Sequence, residues 1–86
     1  MNTSEATAAV AAALASIAPE VDIATVDRAA PFREEMDLDS LDFLSLVEQL
    51  HDSTGVVIRE DDYARVGTLE ALIDYLVQHA PVTTGA

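Results

Sequence analysis

Neither cysteine nor lysine occurs in this sequence of 86 residues. Without cysteine there can be no disulfide and no thiolate metal ligand. Without lysine, positive charge rests on four arginines against sixteen aspartates and glutamates, for a net charge of −12 at pH 7. That balance disfavours nucleic acid, whose backbone is bound through cationic side chains, and anionic membrane surfaces for the same reason. It favours protein partners with basic docking patches and a fast, salt-sensitive encounter. No apolar run approaches the ~18 residues that a spanning helix needs. The N-terminus lacks a basic region followed by an apolar core, so no secretory signal is read and a cytoplasmic protein is expected. His51 and His79 are far apart in sequence and lack carboxylate–histidine metal spacing. There is no glycine-rich phosphate loop and no nucleophile triad, so no intrinsic catalysis is expected.

Half of the residues are hydrophobic, enough to give one small domain a core. The spacing predicts a first helix over 3–18, capped by Thr3 or Ser4, with Glu5 at its positive end and Val10, Leu14 and Ile17 in one stripe. Pro19 ends it. Residues 20–39 read as a long connection, with Phe32 as a core anchor, Asp22 capping a short turn, and Arg28 and Arg33 offsetting local acids. A second long helix is predicted over 40–53 and stopped by Gly55. Val56, Val57 and Ile58 are β-branched but have no convincing second strand to pair with, so they read as a loop packed on that helix. Residues 60–65 read as a single-turn helix. Thr68 caps the last helix, whose Leu69, Leu72, Ile73 and Leu76 face inward. The expected architecture is all-α: a small bundle of three long helices and one short one, with a long loop between the first two long helices. The domain is expected over 1–79, with a disordered tail over 80–86, and the protein is expected to act as a monomer.

The chain is organised around the stretch Glu34–Leu50. Phe43, Leu46, Val47 and Leu50 follow the helical period, while Asp42, Ser45, Glu48 and Gln49 occupy the other side. Asp39 or Ser40 can supply the N-cap oxygen. Ser40 therefore sits at a helix start, where the dipole favours an anion. Asp37, Asp39 and Asp42 would repel a free phosphate. A phosphoester installed by another enzyme escapes that objection, because its attachment does not depend on equilibrium affinity. Ser16 lies in the first helix, and Ser45 and Ser53 lie within or at the end of the second, so none of them shares this position.

Asp39-Ser40-Leu41 and the amphipathic helix after it resemble the modification site of the acyl carrier protein family. The resemblance continues through His51–Ile58, Glu60–Tyr63, Val66–Leu69 and Ile73–Leu76, and covers roughly residues 10–76. It implies the four-helix carrier fold, with 4′-phosphopantetheine joined to Ser40 by a separate phosphopantetheinyl transferase and acyl groups carried on the arm's thiol. Asp39 would cap the helix and meet the transferase, with Leu41 beside the attachment site. Leu44, Asp42, Glu48 and Asp52 would dock acyl-loading and acyl-processing enzymes through basic patches of theirs. The family serves fatty-acid, polyketide and related thiotemplate synthesis.

Two departures bear on detail. Asp37 stands where many members have glycine. Phe43 and Tyr63 are bulky where fatty-acid carriers admit an acyl chain, so a short, polar or solvent-exposed cargo is expected. Aminoacyl and peptidyl carriers are a second possibility, but they usually show paired glycines before the serine and are less acidic. A third possibility is an unmodified acidic helical adaptor.

Overall fold

A computed structural model describes residues 1–80. Helix α1 spans Thr3–Ile17 and is opened by Asn2. The Asn2 side chain accepts the Glu5 amide at 2.8 Å, and the Glu5 carboxylate accepts the Asn2 amide at 2.9 Å. This reciprocal capping box places the cap at Asn2, ahead of the expected Thr3 or Ser4, because Glu5 can answer only from the third helical position. Val10 and Leu14 are buried as expected and Ile17 is half-buried, but Ala6 and Ala13 are buried as well. These small side chains do more than favour the helix: they let α1 lie close to its neighbours.

The connection after α1 is tightly organised. Asp22 accepts the Ala24 amide at 3.0 Å and caps a 3-10 turn over Ile23–Thr25. A one-turn helix that the periodicity did not predict, α2, spans Phe32–Glu35. Phe32 is fully buried, and its amide donates to the Gly67 carbonyl at 3.0 Å. The Glu70 amide donates to the Arg28 carbonyl at 3.0 Å, and Pro31 forms an isolated bridge with Thr68. So long a connection would otherwise cost much backbone entropy; main-chain ties to the start of the last helix, together with the Phe32 anchor, hold it.

Asp37 closes α2 in the left-handed region, at φ 54°. The Leu38 amide reaches the Arg33 carbonyl at 2.8 Å, and the Asp37 amide reaches the Glu34 carbonyl at 3.4 Å. This is the Schellman arrangement, in which the residue after the C-cap takes a positive φ. Aspartate tolerates that conformation better than most residues other than glycine and asparagine. The glycine that the resemblance implies at this position would answer the same left-handed backbone, which this chain takes up with Asp37.

Helix α3 spans Ser40–Thr54 and ends at Gly55, whose φ is 79°. Val56 and Ile58 are buried and Val57 is exposed, an extended segment with no strand partner among the described residues. The expected short helix is a 3-10 helix over Glu60–Val66, slightly longer than read. The Thr68 hydroxyl accepts the Ala71 amide at 3.1 Å and opens α4, Leu69–His79. Leu69, Leu72, Ile73 and Leu76 are buried as expected. Tyr75 is buried too: its hydroxyl donates to Asp62 at 2.8 Å, and its ring stacks on His79 with centroids 4.1 Å apart. Burial first, and the bond to the Asp62 carboxylate second, raise the Tyr75 pKa above the ordinary tyrosine value.

Helices α1, α3 and α4 and the 3-10 helix Glu60–Val66 share one core, the all-α bundle expected. No helix among the described residues is long and apolar enough to cross a membrane. Of the expected tail, Ala80 caps α4 and packs against the core; residues 81–86 lie outside the described residues.

Because Asp37 holds a left-handed backbone, Asp37→Gly is expected to change unfolding free energy by less than about 0.5 kcal/mol. Asp37→Val should cost about 1–2 kcal/mol. Urea denaturation of the two variants checks this; equal stabilities would show that backbone conformation is not what this position demands.

Candidate functional site

The start of α3 is set by two carboxylates. Asp39 Oδ1 accepts the Asp42 amide at 2.8 Å, and Asp42 Oδ2 accepts the Asp39 amide at 3.4 Å. Of the two candidate caps, Asp39 takes the role. Ser40 is thereby the first helical residue, and it is exposed. Its oxygen accepts a hydrogen bond from Arg33 Nη2 at 3.1 Å. Ser16, Ser45 and Ser53 are also exposed, so exposure alone does not single out Ser40. Its place immediately after the cap, at the positive end of a 15-residue helix, does.

Arg33 departs from its expected part. Among the described residues the one ion pair is Arg65–Asp62, at 3.7 Å, so neither Arg28 nor Arg33 offsets an acid within ion-pair distance. The Arg33 guanidinium instead lies 5.3 Å from the centroid of the Phe43 ring. An exposed ion pair gains little in water, whereas a ring face beneath the guanidinium adds contact and quadrupole attraction.

The expected docking residues divide. Leu41 is 74% exposed and Leu44 42%, while Glu48 and Asp52 are exposed as well. At 3.6 residues per turn these four fall along one side of α3, opposite the buried Phe43, Leu46 and Leu50. Leu44 therefore faces solvent rather than the core. Asp42 lies on the flank of this stripe, half-buried, with its carboxylate turned back to the helix start.

Beside Ser40 opens a groove of about 600 Å³, lined by Pro31, Arg33, Glu34, Asp37, Leu38, Phe43, Tyr63, Ala64 and Gly67. Two of its lining residues, Phe43 and Tyr63, are aromatic. Phe43 meets Tyr63 edge to face with centroids 5.0 Å apart, and Phe32 lies 6.0 Å from Phe43 on the other side. The rings occupy the junction of α3 with the 3-10 helix Glu60–Val66.

Sequence reasoning missed the Arg33–Ser40 contact and the left-handed Asp37. The first joins residues seven apart across a turn, with no periodic signal. The second had a signal, the glycine that many members of the resembling family carry there.

The family model described as the phosphopantetheine attachment site matches residues 8–76. An acyl carrier protein of Rubrobacter xylanophilus is 36% identical over 59 residues, which are 69% of this chain and 73% of that protein. An acyl carrier protein of Lactobacillus johnsonii is 35% identical over 48 residues, 56% of this chain and 60% of that protein.

Since Asp39 is the cap, Asp39→Ala is expected to lower unfolding free energy by about 0.5–2 kcal/mol, and Asp39→Asn by much less. Chemical denaturation followed by circular dichroism measures both. No loss in the alanine variant would mean that another group opens α3.

Proposed function

The chain belongs to the acyl carrier protein family, whose members carry 4′-phosphopantetheine and are not catalysts, and on that premise we propose that Ser40 Oγ bears the arm. The observation that carries this reading is an exposed hydroxyl at the first residue of α3, left free of capping because Asp39 does that work. Within a phosphopantetheinyl transferase, the Ser40 oxygen would form a bond to the phosphorus that bears pantetheine in coenzyme A. The pyrophosphate P–O bond breaks, the nucleotide half leaves, and the serine proton passes to the transferase. This chain offers the oxygen and the recognition surface and needs no general base of its own. The bound cofactor supplies a terminal thiol on which acyl groups are held as thioesters. Fully extended, it spans on the order of 20 Å, about the reach of six chain residues.

In this reading, residues 1–79 form one monomeric carrier domain that passes acyl intermediates between enzymes of fatty-acid, polyketide or related thiotemplate synthesis. Asp39 meets the transferase as well as capping α3. Leu41 and Leu44 are the apolar contacts for partners, and Glu48, Asp52 and the flanking Asp42 face their basic patches. The net charge of −12 supports steering toward such patches. Each rim pair affects association rate more than lifetime. The edge-to-face contact of Phe43 with Tyr63 supports a cargo that is short, polar or left in solvent, since a long chain would have to part the two rings.

Incubation with coenzyme A and a broad-specificity transferase should add one phosphopantetheine to the intact mass, and Ser40→Ala should abolish the gain. A gain that persists in the variant would move the attachment elsewhere. Loading with an octanoyl group should leave the core NMR shifts unchanged; large shifts at Val47, Leu50 and Val66 would show that the chain enters after all.

A further inference from the structure

Arg33 has no part in the reading above, yet it supplies the cation at the attachment oxygen. Only four arginines and no lysine balance sixteen acids in this chain, and one of those four lies 3.1 Å from Ser40 Oγ. The segment around it is otherwise acidic, with Glu34, Asp37, Asp39 and Asp42. A phosphodiester on Ser40 would place a further negative charge inside that rim.

We infer that Arg33 is a positioning residue for this phosphodiester, holding the first link of the arm against the start of α3. The inference rests on the reading that Ser40 carries the arm. Once Oγ is esterified, the phosphorus is one bond away and the non-bridging oxygens two. A guanidinium already bonded to Oγ reaches them by small side-chain rotation. Its planar set of five N–H donors suits phosphate oxygens in a way that a lysine point charge does not. It is also held in place: the guanidinium lies over the Phe43 ring, and no carboxylate among the described residues pairs with it. A donor ordered before the anion arrives loses less freedom on binding it. The group bound is a phosphate monoanion that is part of the protein's own arm, which separates this role from the docking of partner enzymes along Leu41, Leu44, Glu48 and Asp52.

Phosphorus NMR tests this. Wild type, Arg33→Met and Arg33→Lys are loaded with phosphopantetheine, loading is verified by mass, and the ³¹P resonance of each is recorded folded and in urea. In the wild type the folded resonance should differ from the unfolded one and drift toward it as salt rises to about 1 M, where exposed charge pairs are screened. In R33M it should lie closer to the unfolded position and lose most of that salt response. R33K should keep a salt response with a smaller displacement, because it keeps the charge without the fork. Fully loaded, folded R33M with the wild-type shift and salt response overturns the inference while leaving attachment at Ser40 intact. If R33M loses its helical circular dichroism, the wild-type titration decides, and a resonance indifferent to salt overturns it. Wild type that gains no mass removes the attachment reading and this inference together.

Discussion

Two aspartates that cap each other's amides decide what Ser40 can do. A helix start leaves N–H groups without intrahelical partners, and some nearby oxygen must accept them. Here Asp39 and Asp42 answer reciprocally. Had Ser40 been the cap, its oxygen would be engaged by an amide of the first turn. With Asp39 in that place, the serine moves one position into the helix and its hydroxyl faces outward, where Arg33 is its recorded protein partner. The carboxylates that cap the helix thus leave the Ser40 oxygen free of the amides of the first turn.

That arrangement needs a rigid approach to the helix, which a long irregular segment does not provide by itself. The anchor is Phe32, fully buried, with its amide on the Gly67 carbonyl and the neighbouring main chain on Thr68 and Glu70. The Schellman turn at Asp37 then redirects the chain by one left-handed residue, and buried Leu38 fixes the outcome. Arg33 sits between these devices, on the same single turn as Phe32. Its position over Phe43 follows from the packing of Phe32 against that ring. Anchor, turn and guanidinium thus lie together beside the Ser40 oxygen.

The division of α3 into faces lets so small and acidic a chain build a core and still leave a mixed apolar and acidic stripe exposed. Phe43, Leu46 and Leu50 go inward, while Leu41 and Leu44 stay exposed and lie beside Glu48 and Asp52. Exposing apolar side chains at such positions gains nothing for folding. In the core itself, burying Ala6 and Ala13 on α1 permits close approach, and aromatic rings fill the junction of α3 with the 3-10 helix Glu60–Val66.

The helices, their order and their inward faces were legible from the chain because each depends on neighbours three or four residues apart, the range over which helical period, caps and stop residues act. The start of α3 was legible for the same reason, through the short oxygen-bearing side chains that precede the amphipathic run. Even the failures of that reading were local: the cap of α1 moved from Thr3 or Ser4 to Asn2 once Glu5 was seen to reciprocate. Tertiary structure alone decided how the long connection lies, because Gly67, Thr68 and Glu70 are remote in sequence from the Arg28–Phe32 backbone they hold. It alone placed Tyr75 inside against Asp62 and set Phe43 against Tyr63. It also brought Arg33 across seven residues to Ser40, since a contact between side chains on two different helices has no period along the chain and exists only once the core has fixed where each helix lies.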